Sequence, residues 1–333
     1  MTYNYNAPWH TLKKVCLGKS YSPSFYSAIR NSQIKDVLSQ IAEETEQDYS
    51  NIESILNQAG VEVVRPTLPN DSILNYVDTN GKLTYDTAKS CTLIPRPPMQ
   101  PRDCQLVIGN QFMATNPSIL DYKDLLDMNL VTWDKEKVFD APCVTVIGSD
   151  LIVDRRDYPW LDSYIRENHP THRVIGVDIG GHNDAVFSAV KPGVIVSTYY
   201  HTNYTETFPG WEVLHIENQS WNAVPEWRKL KHSNAGKWWM PGEENNSEFT
   251  NFVETWLTNW VGYVEETVFD VNMLMINENL ALVNNYNKSV FDYFKKHKVE
   301  AIVAPFRHRF FWDGGIHCVT SDLYREGEAE KYI

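Results

Sequence analysis

Cys318 has the sequence surroundings of a cysteine nucleophile. It follows Gly314, Gly315 and His317 in the segment Asp-Gly-Gly-Ile-His-Cys. The two glycines allow the backbone to approach a ligand closely, and the polar neighbours differ from those of a core strand. Because a thiolate is the reactive form of cysteine, a nearby base or cation would activate it. The segment predicts covalent catalysis through Cys318, with a buried structural cysteine as the alternative.

A base and several carboxylates for this nucleophile occur upstream. His182 and Asp184 belong to the segment Gly-Gly-His-Asn-Asp, and on extended backbone their side chains point to the same face. Asp103 and Asp140 stand at the edges of predicted strands. One cysteine, one histidine and carboxylates can build a covalent catalyst. The alternatives are ordinary acidic residues at strand edges and a polar loop held by its own hydrogen bonds.

The composition excludes several classes of function. The formal net charge is -13 over 333 residues, without the clustered Lys and Arg that phosphate binding requires. We therefore expect no nucleic-acid partner and favour basic or zwitterionic small molecules. The five cysteines, at positions 16, 91, 104, 143 and 318, form no CxxC pair and no zinc-ligand set, so no metal is expected. The first four are predicted to be core residues.

The chain has the composition of a globular, soluble protein. Hydrophobic residues make up 42% of it, which is ample for a buried core. The first residues lack the basic and apolar regions of a secretory signal, and no apolar run approaches the ~18 residues of a membrane span. We expect a cytoplasmic protein that forms one large domain over residues 1–333.

Short strands and helices must position these residues. Apolar residues at three- and four-residue spacing predict a helix over residues 32–59. Apolar runs bounded by turn residues predict strands at residues 61–64, 104–109, 144–148, 151–153, 193–197, 211–215, 273–276, 280–283 and 301–304, and a further helix is predicted at 289–296. No GxGxxG or Walker motif is present, so we expect a mixed α and β fold without a nucleotide site. Residues 220–260, the least regular part, are a lid or an insertion.

In their order along the chain, these segments resemble the amidinotransferase branch of the guanidino-group-modifying (pentein) superfamily. That branch includes arginine:glycine and inosamine-phosphate amidinotransferases. The similar segments are residues 9–18, 59–61, 65–66, 101–103, 138–141, 182–187, 272–275 and 314–322. The resemblance implies an α+β fold, a propeller of five ββαβ modules in pseudo-fivefold arrangement around a central active-site cavity. It also implies a homodimer and catalysis without a metal or organic cofactor.

The resemblance gives each of the five candidate residues a role. Cys318 matches the family nucleophile, His182 the general acid and base, and Asp140 the carboxylate that orients this histidine. Asp103 and Asp184 match the acids that bind the guanidinium of the substrate. The chemistry agrees, because carboxylates in the plane of a guanidinium hold it through paired hydrogen bonds and align its carbon with the thiolate.

Some positions depart from the family pattern. His201 stands where the arginine:glycine enzymes have an arginine for the substrate carboxylate. Gly180 and Gly181 replace a bulkier loop, which should widen the mouth of the site. Glu265 and Glu266 lie near a position where the family has serines. These departures leave open an acceptor other than glycine.

Four residues complete the candidate substrate site, namely Arg102, His201, Gly315 and His317. Other candidates for the carboxylate anchor are Arg307, Arg309 and Arg325, and the alternative for each arginine is a surface salt bridge. The sequence does not choose among them.

Together these observations predict an amidinotransferase. It would move the amidino group of L-arginine through an amidino-Cys318 intermediate to a primary amine, with glycine as the leading acceptor. The alternative is a hydrolase of the same superfamily, similar to arginine deiminase or dihydrolase, in which water resolves the intermediate. A third hypothesis is a catalytically silent protein that senses arginine. The long similarity and His317 beside Cys318 favour transfer.

Overall fold

The computed structural model describes residues 2–68, 71–76, 94–198, 201, 203–216, 239–262 and 266–333. Three sequence predictions therefore lie wholly or partly outside the described residues. They concern Cys91, Glu265 and the first half of the segment 220–260.

Fifteen strands form five three-stranded sheets in the described part of the chain. The strands are β1 Thr11–Leu17, β2 Glu62–Val64, β3 Gln105–Ile108, β4 Gln111–Ala114, β5 Val131–Trp133, β6 Val144–Ile147, β7 Asp150–Asp154, β8 Arg173–Val177, β9 Phe187–Lys191, β10 Val194–Ser197, β11 Glu212–His215, β12 Leu274–Asn277, β13 Leu280–Val283, β14 Glu300–Val303 and β15 Thr320–Glu326. The strands predicted from apolar runs are confirmed, to within a residue or two at each end.

Helices connect these strands. The α-helices are α1 Pro23–Tyr26, α2 Ser32–Gln58, α3 Leu161–Asn168, α4 Tyr204–Thr207, α5 Ser247–Trp256, α6 Glu266–Val271, α7 Lys288–Lys296 and α8 Arg309–Trp312. Short 3-10 helices span Ile73–Asn75, Pro101–Asp103, Pro117–Tyr122, Ala141–Cys143 and Asn183–Ala185. Among the described helices none combines the length and apolar character that crossing a membrane requires.

All five sheets share one topology. In the sheet of β6, β7 and β8, for example, β6 pairs antiparallel with β7, and β7 pairs parallel with β8 after a crossover through α3. A parallel neighbour needs such a crossover, whereas antiparallel strands need only a tight turn. The sheet of β15, β1 and β2 joins both ends of the sequence, because β15 pairs antiparallel with β1. The chain is thus a mixed α+β fold with five three-stranded sheets of the same topology.

The long helix α2 forms where the sequence predicts it. Asn31 caps its N-terminus by accepting a hydrogen bond from the backbone of Gln33, and Gly60, with a φ of 79°, follows its C-terminus. Its apolar face is buried, including Ile52 and Leu56 with no exposed surface. The helix forms the crossover from β1 to its parallel neighbour β2, and burial of its apolar face holds it in the core.

The described half of the segment 220–260 contains a helix that packs in the core. Within it, α5 begins after Asn246, whose side chain accepts from the backbone of Phe249. Phe249 and Val253 have no exposed surface and pack in the same core as α2. The apolar spacing from Phe249 to Trp256 is helical, so the expectation of irregular structure is wrong there.

One strand of every sheet borders a common cavity of about 60 Å³. Its walls include residues from β3, β6, β9, β12 and β15, among them Gln105, Thr145, Ser188, Met275 and Ser321. These five are therefore the inner strands of the sheets. The segments that lead into the inner strands come together as well, and they carry the residues with chemical function.

Candidate active site

The chemically functional side chains stand at equivalent places in the five sheets. Asp103, Asp140 and His182 lie shortly before β3, β6 and β9, on or beside 3-10 helices. Asn272 and Cys318 lie shortly before β12 and β15. Each sheet thus contributes one such residue to the same end of the inner strands.

All of these residues except Asp140 line a cavity of about 290 Å³. Its polar lining includes Arg96, Gln100, Asp103, His182, Asn272 and Cys318. Val268 and Phe269, from α6, provide apolar wall. A site of this size, with a few polar groups and an apolar side, suits a small molecule.

His182 is held between two carboxylates. Its Nε2 lies 3.5 Å from Oδ2 of Asp140, and its Nδ1 lies 3.9 Å from Oδ1 of Asp103. Asp140 also accepts a hydrogen bond of 3.1 Å from the hydroxyl of Tyr158. Burial lowers the pKa of His182, but the contact with Asp140 and the charges of Asp103, Asp184 and Asp140 outweigh it and raise that pKa to about 10. The resting imidazole is therefore protonated near neutral pH.

A buried carboxylate positions the loop that carries His182. Asp154, which has no exposed surface, accepts hydrogen bonds from the backbone of Ile179, Gly180 and Gly181 at 2.8 to 3.2 Å. Gly180 and Gly181 have φ values of 78° and 122°, where glycine is strongly favoured. We expected these glycines to widen the mouth of the site, and their positive φ values show that the turn itself needs them.

Asn272 connects the nucleophile to its surroundings. Its Nδ2 lies 3.0 Å from Sγ of Cys318 and 3.2 Å from Oδ2 of Asp184. Its Oδ1 accepts from the backbone N–H groups of His317 and Cys318 at 3.0 and 3.2 Å. Sequence analysis noted the segment 272–275 but gave Asn272 no role. One side chain therefore fixes both the turn before β15 and the direction of the thiol.

The two glycines before the thiol make room for side chains of the protein. A Cβ atom on Gly315 would lie 2.6 Å from Oδ1 of Asn272, and one on Gly314 would lie 2.2 Å from Nε2 of Gln100. Both distances are too short for a carbon atom. The Gly-Gly pair was expected to allow a close approach to a ligand, whereas the groups that approach it in the structure are the side chains of Asn272 and Gln100.

The thiol of Cys318 is buried and surrounded by negative charge. Burial and the charges of Asp184 and Asp103 raise the pKa of Cys318 well above its ordinary value, more than its hydrogen bonds with Gly315 and Asn272 lower it. The resting group is therefore a neutral thiol. A cation placed beside the two carboxylates would cancel the charge that opposes ionisation.

Two buried carboxylate oxygens beside Cys318 have no hydrogen-bond partner. They are Oδ1 of Asp103 and Oδ1 of Asp184. The other oxygen of Asp184, Oδ2, lies 3.6 Å from the thiol sulfur. Buried acceptors are almost always paired in folded proteins. These two are therefore open positions for hydrogen-bond donors of a ligand.

His317 faces Asp184. Its Nδ1 lies 2.7 Å from Oδ2 of Asp184, and both residues line the smaller cavity of about 60 Å³. Burial and the charge of Arg102 lower the pKa of His317, so a neutral imidazole donates this hydrogen bond. Although burial opposes ionisation of Asp184, its hydrogen bond and interaction with His317 and the charges of His182 and Arg102 lower its pKa to about 2. In this structure His317 positions the carboxylate.

The other candidate anchors are engaged away from the larger cavity. Arg102 is buried and its Nη2 lies 2.6 Å from Oδ2 of Asp322, which does not support its assignment as a substrate contact. His201 contacts Thr207 at 3.3 Å and is absent from the described lining of that cavity. The remaining candidates pair with acids of the protein: Arg307 with Asp48, Arg309 with Glu266, and Arg325 with Asp322.

We expect Asn272→Ala to lower the free energy of unfolding by about 2–4 kcal/mol. The substitution leaves two buried backbone N–H groups without an acceptor, and each such loss costs about 1–3 kcal/mol. Urea denaturation measures the change. Asn251→Ala is a matched control, because Asn251 is exposed on α5 and should alter stability by at most about 0.5 kcal/mol. Equal stability of the two variants would contradict the role of Asn272.

The raised pKa of His182 predicts a loss of stability at alkaline pH. An unfolded histidine has a pKa near 6.5, whereas that of His182 is about 10. The extra binding of a proton by the folded state stabilises it fully below about pH 6.5 and is lost as the pH rises through 10. Urea midpoints measured across this range should therefore fall for the wild type. The fall should be smaller in His182→Gln, and an unchanged slope would contradict the assignment.

Sequence comparison finds amidinotransferases among the proteins that are similar to this chain. No family model matches it. It is 24% identical over 213 residues to the L-arginine:L-lysine amidinotransferase of Pseudomonas savastanoi pv. phaseolicola, a match that covers 62% of this chain and 49% of the relative. It is 22% identical over 210 residues to the mitochondrial glycine amidinotransferase of Xenopus laevis, covering 61% and 42%. These matches span about half or less of the relatives' own length.

Solved structures match over nearly the whole chain. An amidinotransferase of Microseira wollei from the saxitoxin biosynthetic pathway superposes with a TM-score of 0.68 at 16% identity, covering 99% of both chains. The dimethylarginine dimethylaminohydrolase of Pseudomonas aeruginosa superposes with a TM-score of 0.51 at 9% identity, covering 93% of this chain and 98% of that one. By sequence the chain is similar to amidinotransferases, and its fold is shared by an amidinotransferase and by a dimethylarginine dimethylaminohydrolase.

Proposed function

We propose that this protein is an amidinotransferase that takes the amidino group of L-arginine and transfers it to a primary amine through an amidino-Cys318 intermediate. The observation that carries the proposal is the pair of unpartnered, buried carboxylate oxygens on Asp103 and Asp184 beside a cysteine thiol. A guanidinium has five N–H donors in one plane, which suits carboxylates that approach from its edges.

Binding of the guanidinium would also activate the thiol. Asp103 and Asp184 oppose ionisation of Cys318 while the site is empty, and burial raises the pKa of Asp103 to about 6. A bound guanidinium neutralises the two carboxylates, so the thiol can lose its proton to solvent. The nucleophile is then formed only when a cationic substrate is present beside it.

In the first half-reaction, Sγ of Cys318 forms a bond to the guanidinium carbon. The bond from that carbon to the alkyl nitrogen breaks, and His182 gives its proton to the departing nitrogen, which releases ornithine. His182 is suited to this step because it is protonated in the resting state. The products are ornithine and an amidino group bonded to Cys318.

In the second half-reaction, an acceptor amine attacks the amidino carbon. Its proton passes to His182, the carbon–sulfur bond breaks, and the thiolate of Cys318 is restored. Both half-reactions use the same histidine in opposite directions, which makes the kinetics ping-pong. The chemistry requires groups that this chain supplies itself, so we propose no cofactor.

We propose glycine as the leading acceptor, which would give guanidinoacetate. One relative is named for glycine and another for lysine, so lysine is the second amine to test. We further propose that residues 1–333 act as one catalytic unit, that the five sheets close into a propeller, and that the protein is a homodimer. The common cavity bordered by one strand of each sheet supports the closed arrangement.

The test is product analysis by mass spectrometry with arginine labelled in its guanidino group. The purified protein is incubated with the label alone, with glycine, with lysine and with a panel of other amines. Ornithine together with a labelled guanidino product identifies transfer and names the acceptor. Citrulline, or ornithine with ammonia and no labelled amine, would instead identify the hydrolase in which water resolves the intermediate.

A further inference from the structure

We propose that Arg96 binds the α-carboxylate of the amidino donor and thereby selects an amino acid over a simple alkylguanidine. The inference rests on the proposed function, because it assigns the far end of a donor whose guanidinium lies at Asp103 and Asp184. The short sequence motifs point to no role for Arg96.

The guanidinium of Arg96 is open to a ligand. Its Nε and Nη2 atoms are buried and have no hydrogen-bond partner, although Arg96 lines the cavity that contains Cys318. A guanidinium carries donors only, so it can be satisfied only by an acceptor. Leaving buried charged donors unpaired costs free energy, and a carboxylate is the acceptor that fits their planar arrangement best.

The positive charge of Arg96 also suits a carboxylate of a ligand in this cavity. Among the described residues that line the cavity, it alone carries a permanent positive charge, while Asp103 and Asp313 are acidic. Its charge counteracts the burial that raises the pKa of Asp103, so the two groups act on each other. No ion pair joins them, so the guanidinium of Arg96 is available to an anionic group of a ligand in this cavity.

One cavity contains groups that suit the guanidinium, the methylenes and the carboxylate of arginine. Asp103 and Cys318 lie at the reacting end, and Arg96 offers a second polar group within the same volume of about 290 Å³. Val268 and Phe269 line the wall and can cover the aliphatic chain of the donor. Arginine has this order of groups, a guanidinium, methylenes and a carboxylate, whereas agmatine has the same guanidinium and chain without the carboxylate.

The other basic residues considered for this task are already paired. Arg102 and Arg325 share the buried carboxylate of Asp322. His201 contacts Thr207 and lies outside the described lining of the cavity. Arg96, by contrast, has unpaired nitrogens and lines the cavity.

The experiment compares binding of L-arginine and agmatine by titration calorimetry. Cys318→Ala serves as the background because it cannot turn over the ligand. We expect this background to prefer arginine, and Arg96→Gln added to it to weaken arginine by roughly 10- to 100-fold while agmatine changes by less than about 3-fold. Arg96→Lys should restore part of the preference, because lysine keeps the charge and loses the planar fork. Arg30→Gln is the matched control, since Arg30 is exposed between α1 and α2.

The outcomes separate the anchor from the function itself. Equal weakening of arginine and agmatine in Arg96→Gln would mean that Arg96 acts through Asp103, and would overturn the proposal. Tight arginine binding that is unaffected by Arg96→Gln would overturn it also, while leaving the proposed function in place. Failure of the Cys318→Ala protein to bind arginine at all would overturn the proposed function, and the anchor with it.

Discussion

Replacing Cys318 by alanine should remove turnover of arginine, by at least about 10⁴-fold, while arginine still binds. The sulfur is the only atom of the residue that can form the bond to the guanidinium carbon, whereas binding depends on Asp103 and Asp184. Arginine should therefore bind to Cys318→Ala with an affinity within about tenfold of the Michaelis constant measured for the wild type. Steady-state ornithine release and calorimetry measure the two effects separately.

The intermediate provides a direct check. Wild-type protein mixed with arginine and quenched before acceptor is added should gain the mass of one amidino group, and peptide mapping should locate it on Cys318. Cys16→Ala is the control, because Cys16 is buried in β1 away from the cavity and should keep the adduct. An adduct that persists in Cys318→Ala, or a wild type without turnover that binds arginine tightly, would contradict the assignment. The second result would favour the sensor hypothesis.

Local patterns in the sequence were sufficient for the strands and helices with clear apolar periodicity. The helix predicted at residues 32–59 is α2, Ser32–Gln58, and the strand predicted at 280–283 is β13. Strands such as β9 and β15 were missed. β9 mixes polar with apolar residues, and β15 is mostly buried although its sequence is polar, because Arg102 and Arg325 pair with Asp322 there. Whether a polar segment forms a buried strand then depends on residues from distant parts of the chain.

Short motifs in the sequence singled out Cys318, His182 and Asp184 as candidates, whereas Asp103 and Asp140 were selected through the family resemblance. Asn272 and Asp154 could not be selected in this way, since an asparagine in an Asn-rich chain and an aspartate at the end of a strand are ordinary. Their importance arises from contacts across the fold, with residues 317 and 318 for Asn272 and with residues 179–181 for Asp154. Sequence spacing carries no information about contacts of this kind.

The arginines likewise show that sequence spacing does not reveal contacts across the fold. Arg96 and Arg102 are six positions apart, in the same proline-rich stretch, and both carry a permanent charge. Packing alone distinguishes them, because Arg102 is buried against Asp322 while Arg96 keeps unpaired nitrogens at the cavity. The proposal of Arg96 as the anchor therefore depends on the structure.

The equivalent placement of the catalytic groups explains how one fold brings distant residues together. Asp103, Asp140, His182, Asn272 and Cys318 are spread over more than two hundred positions, yet each stands before the inner strand of its own sheet. The five inner strands border one cavity. The distances among these residues are consequently set by the packing of the sheets against one another, so substitutions in the shared core should affect catalysis through geometry.

Replacing His182 by glutamine should lower kcat/KM for arginine by roughly 10²–10⁴-fold. The histidine supplies the proton that the alkyl nitrogen needs to leave, and its contacts with Asp103 and Asp140 keep that proton bound near neutral pH. In a ping-pong reaction, kcat/KM for the donor reports only the first half-reaction. Steady-state ornithine release at several acceptor concentrations therefore isolates the protonation step.

The nature of the leaving group distinguishes proton donation by His182 from a role in positioning. Canavanine carries the same guanidinium but releases an alkoxyamine, which is a much weaker base than the alkylamine of ornithine and departs with less help from an acid. If His182 donates the proton, His182→Gln should lose much less activity with canavanine than with arginine. If it mainly holds Asp103 and Asp140 in place, the two donors should suffer equally, because both depend on the same guanidinium contacts. Equal losses would assign the acid to another group of the site.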